Sequence, residues 1–66
     1  MQALAELKPG SSRAEMIQKL GPPAYSIGMP EGWHYVERCR FHAGFENIAR
    51  IELRDGLIVA IDKAGP

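Results

Sequence analysis

The stretch Ile48-Ala49-Arg50-Ile51-Glu52-Leu53-Arg54-Asp55-Gly56-Leu57-Ile58-Val59-Ala60-Ile61-Asp62 decides the fold class. Its first half alternates: Ala49, Ile51 and Leu53 are apolar, and Arg50, Glu52 and Arg54 are charged. Period-two alternation is the mark of a strand with one buried face. After Asp55-Gly56 the alternation resumes, with Leu57, Val59 and Ile61 on one face and Ile58, Ala60 and Asp62 on the other. Asp-Gly between two such runs reads as a hairpin. A two-residue loop would set Glu52 opposite Val59, a carboxylate beside an apolar face. A three-residue loop, Arg54-Asp55-Gly56, sets Leu53 opposite Leu57 and Ile51 opposite Val59, with Gly56 left-handed at its last position. The three-residue loop is therefore expected.

Upstream, Trp33 to Phe41 alternates in the same way. Trp33, Tyr35, Glu37, Cys39 and Phe41 share one face; His34, Val36, Arg38 and Arg40 share the other. Before that the period changes. Ser12 and Glu15 have capping-box spacing, Ala14, Met16, Ile17 and Leu20 form an apolar stripe, and Gly21-Pro22 ends the helix at about Leu20. Ala3, Leu4 and Leu7 suggest one or two further helical turns. Gly28-Met29-Pro30-Glu31-Gly32 reads as a flexible loop. The expected architecture is α+β: one or two short N-terminal helices packed on a three-stranded antiparallel meander from Trp33 to Asp62, its second strand central. Residues 1–66 form a single domain.

The chain has 66 residues, eight basic and eight acidic side chains, and one cysteine. A lone thiol excludes an internal disulfide framework, and zero net charge argues against a generic polyanion binder. The longest apolar run, Leu57 to Ile61, is far short of the ~20 residues of a membrane-spanning helix.

The ordered motifs resemble a family. Leu7-Lys8-Pro9-Gly10-Ser11-Ser12-Arg13-Ala14-Glu15-Met16-Ile17 with Leu20-Gly21-Pro22-Pro23 is similar to the opening of the SmpA/OmlA family, the small outer-membrane lipoproteins that include the BamE subunit of the β-barrel assembly machinery. Trp33-His34-Tyr35-Val36 resembles the family's first-strand W-x-Y motif, and Asp55 to Asp62 resembles its last hairpin and strand. The fold also resembles one repeat of the β-lactamase inhibitor protein. The resemblance implies a non-enzymatic scaffold that binds partner subunits, and anionic lipid, at the periplasmic face of the outer membrane. This sequence shows no signal-peptide order, and its one cysteine, Cys39, falls in a strand. The periplasmic expectation therefore requires a leader upstream of this sequence; otherwise a cytoplasmic location, with an inhibitor-like or regulatory binding role, is expected.

Chemistry-bearing residues are few. His34, Cys39 and His42 are the soft metal ligands, but alternation puts His34 and Cys39 on opposite faces, so no metal or other cofactor site is expected. Ser12 is explained by capping and Cys39 by burial, which leaves no activated nucleophile and no enzyme. Glu37 is a carboxylate on an apolar face; a bulge or a wet sheet edge would accommodate it. Trp33 and Tyr35 are expected to anchor the core against Met16, Ile17 and Leu20, the alternative being Trp33 exposed at a partner site. The outer sheet face is the candidate contact surface: His34, Val36, Arg38, Arg40, Ile48, Arg50, Arg54 and Ile58, joined by Met29 and Trp33 from the preceding loop. Arginine interleaved with apolar residues is an interface-like composition. Glu52 and Asp62 among the arginines argue against nucleic acid, leaving a protein-binding face or a plain solvated sheet on a monomer or weak homodimer, with a structural homo-oligomer, paired through an edge strand or this face, as the alternative function.

The helix start is the sharpest local expectation. Ser12→Ala is expected to cost about 1 kcal/mol and to lower the denaturation midpoint measurably; an unchanged midpoint would place the cap elsewhere.

Overall fold

A computed structural model describes residues 5–63. One helix, α1 (Arg13–Leu20), is followed by four strands, β1 (Tyr25–Glu31), β2 (His34–Ala43), β3 (Glu46–Arg54) and β4 (Leu57–Lys63). They form one antiparallel sheet in the order β1-β2-β3-β4. The class is α+β, but the expected three strands are corrected to four. Of the further helical turns expected at Ala3, Leu4 and Leu7, the first two residues lie outside the described ones, and Leu7 is not helical but packs in the core.

α1 forms where the sequence places it. The Ser12 Oγ accepts the Glu15 backbone N–H at 3.1 Å, and the Gly21 N–H donates to the Ile17 carbonyl at 2.7 Å. Gly21 takes φ +78°, which resists any side chain with a Cβ. Met16 on the inner side of α1 is fully buried, and Ile17 and Leu20 pack beside it. They meet Cys39, Phe41, Ala49, Ile51, Leu53 and Ile58 from the sheet, with Leu7 completing the core.

β1 is the strand that reads as a loop. Gly28 and Pro30 both oppose strand formation, and proline is tolerated only where its missing N–H is not needed, at a sheet edge. β1 is such an edge. Gly28 also has a positive role, because the Tyr35 ring lies against it: a Cβ built there would come within 2.7 Å of Tyr35 Cζ. Trp33 consequently leaves the core. It sits with Gly32 (φ +63°) in the two-residue turn between Glu31 and His34, and is 97% exposed. Tyr35 faces the inner side but at its margin, half exposed. Neither residue anchors the core against α1 as expected.

The Asp55-Gly56 loop is also corrected. Arg54 pairs with Leu57, so the loop has two residues, Asp55 at φ +52° and Gly56 at φ +82°. Two consecutive positive φ values are the requirement of the primed turn that matches strand twist. The conflict foreseen for this register is removed by a bulge. Leu53 pairs with Ile58 but Glu52 pairs with Ala60, so Val59 is the extra residue and swings outward. Ile58 and Ile61, three residues apart, then face inward together, and Ile58 joins the core rather than the outer face. A second irregularity has the same effect on β3: Phe41 pairs with Ala49 and His42 with Asn47, which frees Ile48 to pack against the core.

Glu37 needs neither a bulge nor a wet edge. It stays on the inner face, where Arg13, the first residue of α1, clamps it with two bonds, Nε to Oε1 at 2.8 Å and Nη2 to Oε2 at 3.1 Å. The bond from Arg13, with its charge, holds the Glu37 carboxyl below its ordinary range against the opposing effect of burial.

The two sheet edges differ. Residues 10–13 run alongside the start of β4: Gly10 N donates to Ile58 O at 2.8 Å, Ile58 N to Ser11 O at 2.8 Å and Arg13 N to Gly56 O at 2.9 Å. β1 has no such cover among the described residues, and all seven of its residues are exposed.

The two-residue loop makes a distinct demand on Gly56. Gly56→Val is expected to destabilise by more than about 1 kcal/mol, whereas Gly56→Asn is milder because asparagine tolerates positive φ. Denaturant midpoints of the two variants check this; equal midpoints reject the turn.

Candidate functional site

α1 covers one face of the sheet. The other face is built from cross-strand rows that the register lays side by side, because residues directly opposite on neighbouring strands point the same way. One row is Met29, Val36, Arg54 and Leu57. The next is Ile27, Arg38, Glu52 and Ala60, and the third is Tyr25, Arg40, Arg50 and Asp62. Together the second and third rows line a groove of about 410 Å³.

Most of the guanidiniums here already have partners. Arg38 donates Nε to Glu52 Oε1 at 3.1 Å and Nη1 to Glu31 Oε2 at 3.2 Å, and so ties β1, β2 and β3 together across the outer face. Arg50 Nη2 donates to Asp62 Oδ2 at 2.7 Å, from β3 to β4. Arg40 lies over the Tyr25 ring, 5.9 Å from its centroid, in a cation–π arrangement. These pairs are solvated, and each contributes less than about 1 kcal/mol to stability. Their larger effect is to fix the direction of long side chains.

Beside the charges runs an apolar strip. Tyr25, Ile27 and Met29 succeed one another along the outer side of β1, 53%, 43% and 40% exposed, and Leu57 stands at the other end of Met29's row. Val36 lies in that row between Met29 and Arg54 but is only 2% exposed, so it supports the surface and does not contribute contact area.

At the β1–β2 and β3–β4 turn end, His34 Nδ1 is 2.6 Å from Asp55 Oδ2, while Asp55 Oδ1 accepts the Tyr35 N–H at 2.9 Å. The Asp55 N–H donates to the Tyr35 carbonyl at 2.8 Å. These bonds fasten the β3–β4 turn to β2. The Tyr35 N–H, and then His34, hold the Asp55 carboxyl below its ordinary range.

The structure thus brings together His34, Arg38, Arg40, Arg50, Arg54 and Met29 on one face with Val36 beneath it. It separates Ile48 and Ile58, which pack on the opposite side, and puts Trp33 at the turn. Tyr25 and Ile27 are part of the face although sequence reasoning left them out; the alternation Tyr25-Ser26-Ile27-Gly28-Met29 was the signal for them. His34, Cys39 and His42 occupy the outer face, the core and the opposite end of β2. No three His, Cys, Asp or Glu side chains cluster as a metal site among the described residues. Cys39 is buried in the core, and burial, and secondarily the Glu37 charge, pushes its thiol up to about 11. No helix among the described residues is long and apolar enough to cross a membrane.

Compared with protein-family models, curated proteins and solved structures, the chain matches none of them.

Two depressed carboxyl groups give an acid dependence whose sign follows from linkage. Glu37 and Asp55 both release their protons more readily folded than unfolded. Their contribution is present above the ordinary carboxyl range and is lost as pH falls through their folded values. Thermal melts between about pH 5 and about pH 2 should show a falling midpoint, and the fall should be shallower in the Glu37→Gln, Asp55→Asn double variant. Parallel curves for the two proteins would exclude both groups as its source.

Proposed function

We propose that this chain is a non-catalytic protein-binding domain whose outer sheet face is the contact surface. The observation that carries the reading is the row Tyr25, Ile27 and Met29, large apolar side chains held exposed on a rigid strand beside arginines already oriented by their neighbours. The arginines enter such a contact already directed by their neighbours, which lowers the ordering cost of binding. Aromatic and arginine residues are also those in which binding energy concentrates.

The resemblance to the SmpA/OmlA family supports the same class of function and adds a setting, in which the partner is a subunit of outer-membrane protein assembly. Of the two ligand classes that resemblance implies, the face suits protein better than anionic lipid. Glu31, Glu52 and Asp62 interleave with the arginines and would repel a continuous anionic surface. An inhibitor-like or regulatory module in the cytoplasm would use the same surface. A second reading, self-association, is favoured by the uncovered β1 edge, which offers free backbone groups to a second copy.

The test is capture of partners from the native extract by the wild type and by a Tyr25→Thr, Ile27→Thr variant, with a melt of each and a concentration series of molecular mass. Threonine has a high strand propensity, so stability should hold. Loss of about 2 kcal/mol or more of affinity for a partner, with the melt unchanged, is the expected result. An identical partner profile removes this face. Loss on Trp33→Ser instead moves the contact to the β1–β2 turn. Mass that doubles with concentration moves the reading to self-association.

A further inference from the structure

The groove has an electrostatic imbalance at one place. Its lining includes three guanidiniums, Arg38, Arg40 and Arg50, against two carboxylates, Glu52 and Asp62. Arg38 takes Glu52, with Glu31 in addition, and Arg50 takes Asp62. Arg40 has no carboxylate within salt-bridge distance among the described residues and rests on the Tyr25 ring. Moreover, Arg40 and Arg50 are direct cross-strand partners. Side chains so placed start from Cβ atoms roughly 5 Å apart, so both guanidiniums can be reached from one point in the groove. Their heads are drawn to opposite sides, Arg40 toward the Tyr25 ring on β1 and Arg50 toward Asp62 on β4, so the groove keeps one guanidinium, Arg40, with no countercharge.

We infer that this groove binds one carboxylate from an acidic segment of a partner protein, seated between Arg40 and Arg50, with an adjacent apolar side chain against Tyr25 and Ile27. The inference rests on the protein-binding reading and specifies the chemistry of the partner. A carboxylate at this point supplies the countercharge that Arg40 lacks and accepts charge-assisted hydrogen bonds from planar guanidiniums. The apolar half of the requirement comes from the exposed flank of β1, continuous with the groove through Ile27 and Tyr25. A single negative charge is the right number. Glu52 and Asp62 remain on the lining and oppose a second anionic group, so a polyphosphate or nucleic-acid backbone is disfavoured where one Asp or Glu is accepted.

The probe is a displayed library of random twelve-residue peptides selected on the folded chain, with the binding site of each enriched peptide mapped by amide shifts of the labelled protein. The expected outcome is enrichment of Asp or Glu next to an aliphatic or aromatic residue, with shifts at Tyr25, Ile27, Arg40 and Arg50. Replacing the peptide's acid by its amide should weaken binding roughly tenfold or more, as should Arg40→Gln, while Arg40→Lys keeps part of the affinity. A melt of Arg40→Gln equal to the wild type verifies that the fold is retained. Peptides that map to the groove but carry no acid, or lose nothing on amidation, overturn the carboxylate inference and leave the protein-binding reading in place. Peptides that map to the β1 edge or the Trp33 turn, or the absence of any binder, overturn both.

Discussion

Three two-residue turns set the geometry of this domain. Each begins with a residue at positive φ, Gly32 at +63°, Gly44 at +65° and Asp55 at +52°, and each joins its strands with no slack. A tight turn fixes the pairing of the strands on either side, and a fixed pairing decides which side chains share a face. The third turn would bring Glu52 opposite Val59 and misphase the end of β4. The chain answers with a bulge at Val59, which restores Ile61 to Ile51 and lets Ile58 meet Leu53. Core, outer face and groove all follow from that sequence of constraints.

The helix was legible because its signals are local: a cap at Ser12, a positive-φ glycine at Gly21 and prolines immediately after it. β3 and most of β2 were legible from alternation. β1 was not, since Gly28 and Pro30 are strand breakers and only a tertiary fact, an edge position under the Tyr35 ring, makes them acceptable. The bulges were illegible for a related reason. A one-residue slip leaves no mark on composition, yet it reverses the side of Ile48 and Ile58. The outer arginines were placed correctly because each lies before a bulge or on the paired side of it. Tyr25 and Ile27 were lost together with their strand.

Glu37 and Arg40 show the same chemistry resolved in opposite ways. Both are charges placed by strand alternation where their neighbours do not satisfy them. On the inner face the cost of an unpaired charge is high, and α1 supplies Arg13 as a two-pronged partner. On the outer face water makes the cost small, and Arg40 is left with only a ring beneath it. The charge that the domain must neutralise is neutralised within the fold. Those it leaves over, Arg40 and Arg54 among them, face outward.

The backbone bonds between residues 10–13 and β4 join stretches from opposite ends of the described chain. On a ribosome, the segment leading into α1 is made early, and its hydrogen-bond partners Gly56 and Ile58 are made late. Until they emerge, α1 lacks both the strap that orients it and the Ile58 and Ile61 side chains that complete its floor. An eight-residue helix is too short to persist alone, so α1 waits on β4 for its place. Its contacts of longest sequence separation are also the ones that hold the helix in place, so the helix and the final strand depend on each other.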